Sequence, residues 1–188
     1  MTSFYDTFMA PLEKKWLGKI RKNVISKAHG HVLEIGYGTG VNIKYMAKNN
    51  ISSLTALDLD IDGMTHAHHG LPVHFIKGIA EALPFDDETF DSVIETLVLC
   101  SVSDVNLAVS EAFRVLKPGG LFIYIDHVLP EHKIMTPLFK GANLIWPHIA
   151  SGCEVIRQPH LIIAAKSACT LVSGSAANTV FRYGVVQK

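Results

Sequence analysis

The sequence predicts an α/β chain, a seven-stranded and mostly parallel sheet with helices on both faces and an antiparallel C-terminal hairpin. Three observations carry this. Short apolar runs alternate with segments of helical periodicity from residue 31 to residue 126, the pattern of parallel strands joined by right-handed crossovers. The first run, HVLEI, leads directly into GYGTG, a glycine turn between a strand and a helix. Two further strand-like runs flank Gly174 near the end of the chain.

Taken in order, Leu12, Trp16, Ile20 and Val24 recur every four residues and predict an amphipathic helix. Residues 31–35 read as a buried strand, and residues 41–48 as the helix after the glycine turn. SLTALDL (53–59) is a second strand ending in acids, residues 61–69 look helical, and VHFIK (73–77) is a third strand. A turn over residues 86–89 precedes a fourth strand over 91–96. Val105, Ala108, Val109, Ala112, Phe113 and Leu116 give residues 104–116 helical periodicity, closed by the Lys-Pro-Gly-Gly run at 117–120. LFIYID (121–126) is the fifth strand. Residues 156–166 are expected to be helical, and residues 169–173 to pair with 179–187 across Gly174.

Composition narrows the function classes. With 188 residues and 48% hydrophobic content, the chain can bury a sizeable core as one domain. The expected divisions are a helical segment over 1–30, a ligand-binding core over 31–127 and a substrate-facing region with the hairpin over 128–188. Lys+Arg and Asp+Glu stand at 17 each, so bulk charge does not point to nucleic acid. A mean hydropathy of +0.26 comes without the roughly 18 consecutive apolar residues of a membrane span. It fits buried parallel strands. The N-terminal residues carry charges where a signal peptide needs its apolar stretch, and three dispersed cysteines suit a reducing compartment; a cytoplasmic location is the expectation. Lys14, Lys15, Lys19, Arg21, Lys22 and Lys27 give the first helix a basic face. That face lies in water with the helix packed on the domain, or makes weak contact with a membrane surface.

The glycine turn and Asp58 together indicate the ligand. In a doubly wound sheet, ligands sit off the carboxyl ends of the strands. An acid at the end of the second strand accepts hydrogen bonds from ribose hydroxyls, so a nucleoside derivative is expected. A dinucleotide calls for G-x-G-x-x-G, whose third glycine falls here on Val41. The spacing is instead Glu34-x-Gly36-x-Gly38-x-Gly40. A carboxylate at the first strand end suits a ligand with an ammonium group.

That spacing resembles the class I S-adenosylmethionine-dependent methyltransferases, a Rossmann-like family. GIAEALPFDDETFD (78–91) is similar to the family's adenine-contacting loop, and EAFRVLKPGGLFIYIDH (111–127) to its helix, Lys-Pro-Gly-Gly turn and fifth strand. The resemblance implies S-adenosyl-L-methionine as cofactor, held by Glu34, Gly36, Tyr37, Gly38, Gly40, Asp58, Leu59, Ala80, Glu81 and Thr96. Many relatives carry an acid where Ile79 stands, so the adenine amine would turn to backbone near Ala80 or to Glu81. TLVLCSV (96–102), Asp126-His127-Val128 and WPHIASGC (146–153) resemble the branch that includes thiol S-methyltransferases.

Methyl transfer needs mainly an aligned nucleophile and exclusion of water. A thiol acceptor needs little help from a base, a hydroxyl more. Asp126, His127 and His148 are the candidates for acceptor-side catalysis, with Tyr5 and Phe4 as a conceivable lid. The acceptor is expected to be small and apolar, with a soft nucleophile such as a thiol; quinone- or phospholipid-type methyl transfer, a non-catalytic cofactor-binding role and a dinucleotide oxidoreductase are the alternatives. His66, His68 and His69 point apart on a helix and no metal site is expected. Cys100 and Cys153 are read as buried structural residues.

Overall fold

The computed structural model describes residues 11–46, 50–62, 70–130, 135–149, 152–177 and 179–188. Its strands are β1 (Gly30–Ile35), β2 (Ile51–Asp58), β3 (Val73–Lys77), β4 (Phe90–Thr96), β5 (Leu116–His127), β6 (Cys169–Ala176) and β7 (Phe181–Gln187). They form a seven-stranded sheet in the order β3-β2-β1-β4-β5-β7-β6. The first five are parallel, and β7 runs antiparallel to both β5 and β6. The order reverses between β1 and β4, which places a crevice beyond the carboxyl ends of those strands.

Helices cover both faces. On one, Val109 and Phe113 of α2 (Val105–Val115) and Ile163 of α5 (Pro159–Lys166) pack against Leu33, Val93 and Phe122. On the other, Leu17, Ile20 and Val24 pack against Val32, Ile94 and Ile123. Those three side chains come from a π-helical turn, Glu13–Leu17, that continues into α1 (Gly18–Ile25). Two short helices, α3 (Met135–Ala142) and α4 (Trp146–Ile149), follow β5. No helix among the described residues is long and apolar enough to cross a membrane.

Several expectations shift. Over residues 41–48 the described part holds only a short 3-10 turn, Ile43–Tyr45, and Met46 is already extended. The reason is tertiary, because Asn42 is buried and its side chain is drawn into contacts with Arg21, Glu34 and Thr96. β5 begins at Leu116, five residues early, because Leu116 pairs with Phe90 across a register shift that spans the Lys-Pro-Gly-Gly run. The hairpin turns beyond Ala176; Gly174 lies inside the ladder opposite Tyr183, whose ring occupies the space a Cβ would need. α5 starts at Pro159 rather than at 156, as suits a proline in the first turn. The predicted helix over 61–69 falls mostly outside the described residues, as do His66, His68, His69, Phe4 and Tyr5.

Candidate functional site

The glycine turn leaves β1 at the switch point. Gly36 has φ +71°, and a Cβ there would lie 2.1 Å from Val98 Cγ2, so glycine is required twice over. Gly38 has φ +53° and nothing within 4 Å of a built Cβ. Its backbone therefore faces open space while its N–H donates to Asp58 Oδ2 at 2.8 Å. Gly36 and Tyr37 N–H groups both donate to Leu57 carbonyl oxygen, which fastens the turn to the end of β2. Tyr37 is buried edge-on against Phe75, with a ring separation of 5.4 Å. Leu59, just beyond β2, exposes 68% of its surface beside the same crevice end.

Glu34 is 1% exposed. Its Oε1 accepts from Asn42 Nδ2 at 2.7 Å, and its Oε2 has no hydrogen-bond partner among the described residues. Burial pushes its pKa up to about 7, against the Asn42 hydrogen bond and the Arg21 charge, which pull it down. Arg21 reaches in from α1, donating to Asn42 Oδ1 at 2.5 Å, Thr96 Oγ1 at 3.0 Å and Glu13 Oε2 at 3.1 Å. Asn42 Nδ2 also donates to Thr96 Oγ1 at 3.0 Å. Sequence reasoning missed Arg21 and Asn42. A signal existed for Arg21, which stands four residues after Leu17 and three before Val24, on the stripe that packs inward. The other basic residues of the N-terminal segment, Lys14, Lys15, Lys19, Lys22 and Lys27, are exposed.

These groups fit S-adenosylmethionine. A buried carboxylate with one unpartnered oxygen matches an ammonium, an acid at the end of β2 matches ribose hydroxyls, and the Gly38 backbone leaves room for close approach. The adenine side is more constrained. Ala80 is buried and Ile79 is 46% exposed. Glu81 is occupied at the start of α2, where its Oε1 accepts from Ser103 N at 2.6 Å and Asp104 N at 3.3 Å. Of the two sources named for the adenine amine contact, backbone at Ala80 is the one left uncommitted by side-chain hydrogen bonding.

At the β4–β5 end, Asp126 lies fully buried against Glu95, which sequence reasoning also missed. Glu95 Oε1 accepts from Val98 N at 2.7 Å and Leu99 N at 3.2 Å. Burial, then the Glu95 charge, hold Asp126 well above the carboxylate range, and burial raises Glu95 to about 7. Asp126, a candidate for acceptor-side catalysis, is therefore held out of solvent beside a second buried carboxyl. His127 is 5% exposed and packs on Phe181 in a tilted ring pair with centroids 4.7 Å apart. Its Nδ1 lies 3.6 Å from Cys153 Sγ. Contact with the Cys100 thiol, opposed by burial and helped by His127, draws Cys153 down to about 5, while the same contact and burial raise Cys100. His148 is exposed on α4 and is not part of this group. Arg157 ties the loop carrying Cys153 to the loop after β4 through Leu99 and Val102 carbonyl oxygens and Glu154. A separate cavity of about 290 Å³, lined by Tyr124, His160, Arg182 and Tyr183 among others, holds none of the residues predicted for the site.

The family described as "Methyltransferase domain" matches residues 33–124. The chain is 31% identical to a demethylmenaquinone methyltransferase of Chlorobaculum tepidum, over 64% of this chain and 50% of that protein. It is 30% identical to the thiol S-methyltransferase TMT1B of Mus musculus, over 68% of this chain and 55% of that protein. The chain thus spans about half the length of the curated relatives it matches. The structure of an S-adenosylmethionine-dependent methyltransferase from Mesorhizobium loti superimposes with a TM-score of 0.69 and 15% identity, covering 93% of this chain and 97% of the other. The chain thus carries a segment that matches a methyltransferase domain, on the seven-stranded fold of the S-adenosylmethionine-dependent methyltransferases.

Proposed function

We propose that the protein transfers a methyl group from S-adenosylmethionine to a small, apolar acceptor, with a thiol as the first candidate. The observation that carries the cofactor half is Glu34, buried at the end of β1 with Oε2 unpartnered among the described residues, four residues before the open Gly38. When bound, the cofactor supplies an electrophilic methyl group on a leaving sulfonium, so no protein acid is needed for departure. Glu34 would hold the ammonium and Asp58 the ribose hydroxyls. Arg21 and Asn42 keep Glu34 in place, and Thr96 accepts from both. On the acceptor side, His127, Asp126 and Glu95 are the buried polar groups at the β4–β5 end of the crevice.

Exposed Leu138, Leu144 and Ile145 on and between α3 and α4 support an apolar acceptor, as does the likeness to a thiol S-methyltransferase. The likeness to a demethylmenaquinone methyltransferase favours a quinol as second reading. The test incubates the protein with S-adenosylmethionine and matched alkyl thiols, aryl thiols, a naphthoquinol and fatty acids, reading S-adenosylhomocysteine and methylated product by mass spectrometry. Thioether formation at least about tenfold above the other acceptors is expected. Turnover confined to the quinol would replace the thiol reading, and no turnover with tight cofactor binding would leave a binding protein.

A further inference from the structure

Cys100, His127 and Cys153 come from three separate segments: the loop after β4, the end of β5 and the loop after α4. All three are buried, at 1%, 5% and 2% exposure. Their donor atoms lie within 4.8 Å of one another, with Cys153 Sγ 3.6 Å from His127 Nδ1. A tetrahedral zinc ion with sulfur at about 2.3 Å and imidazole nitrogen at about 2.0 Å sets those two donors about 3.5 Å apart and two sulfurs about 3.8 Å apart. The cysteines are free thiols here, not a disulfide. Ordinary burial accounts for one such side chain, but not for three convergent donors.

We propose that Cys100, His127 and Cys153 form a binding site for a soft divalent metal ion of the zinc class, held by two thiolates and one imidazole. Two thiolates select a soft ion over magnesium or calcium, and the thiol protons leave to solvent as it binds. Phe139, Trp146 and Val155 pack around the two sulfurs and shield them. The ion would fasten the roof formed by the 152–157 loop to the sheet at the β4–β5 end of the crevice. Three protein donors leave a fourth position for an exogenous ligand, as in zinc sites that take part in chemistry. The site stands independently of the acceptor named above.

The test reduces the full chain, strips it with a chelator and titrates it with Co²⁺. One equivalent should bind, giving an intense near-ultraviolet thiolate-to-cobalt band that equimolar Zn²⁺ abolishes. Cys100→Ser and Cys153→Ser should each weaken Co²⁺ binding at least about tenfold and reduce the band, while Cys169→Ser, which alters an exposed thiol, should change neither. Absence of the band in wild type, or a wild-type band in Cys153→Ser, would overturn the proposal. Should the serine variants not fold, the spectrum of Cys169→Ser decides alone, since exposed histidines give no thiolate band. A parallel titration with S-adenosylhomocysteine separates loss of the metal site from loss of the cofactor site.

Discussion

At the β1–β2 end of the crevice the polar groups stand close together in the chain, with Glu34, Gly38 and Asp58 within 25 residues of one another. At the β4–β5 end they come from Glu95, Cys100, Asp126, His127 and Cys153, spread over 59 residues. At the first end Glu34 Oε2 has no hydrogen-bond partner among the described residues, and the side of Gly38 where a Cβ would sit is open. The second is folded inward, each of its groups buried. The first set of groups is gathered by a local motif, the second by the tertiary fold.

The largest expected effect is at the first end. Asp58→Ala should weaken S-adenosylhomocysteine binding about 100-fold by calorimetry, because two charge-assisted hydrogen bonds are each worth about 1.5 kcal/mol. Unchanged affinity would mean that the ribose is held elsewhere and that the two ends differ less than described.

Glu34 sharpens the contrast through pH. Its carboxyl is protonated in the free protein below about 7, and only the carboxylate holds an ammonium. Cofactor affinity should therefore rise about tenfold per pH unit from 5.5 towards 7 and level off above it. Glu34→Gln should lose about tenfold in affinity at pH 7.5 and show a flat profile over that range. A wild-type profile without slope would place the ammonium away from Glu34.

A smaller effect is expected from Arg21→Met, which keeps the packing of the side-chain stem and removes the charge that lowers the Glu34 pKa. The pH midpoint for cofactor binding should move upward, and denaturant titration should show a loss of about 1–3 kcal/mol from the partners left unpaired. A midpoint that stays in place would mean that Asn42 alone sets the state of Glu34.

The helix over 41–48 was misread because Val41, Asn42 and Ile43 have acceptable helical chemistry, and nothing local reveals that Asn42 turns inward to Glu34 and Arg21. β5 was read short because Lys-Pro-Gly-Gly is a common helix stop, and only its pairing with β4 shows that the strand has begun. Glu81 looked available from its place in the loop, yet the start of α2 folds back onto it.

By itself the sequence determined the α/β alternation, the crevice-forming glycine turn and the placement of Glu34 and Asp58 at strand ends. These follow from periodicity, backbone sterics and strand termini, which act between near neighbours. Tertiary structure alone decided which groups Arg21 meets, that Asp126 shares its burial with Glu95, and that Cys100, His127 and Cys153 converge. Such meetings depend on strand order and on which loop closes over which strand end. Burial then sets the charge of each group through the company it keeps, and no local pattern encodes that company.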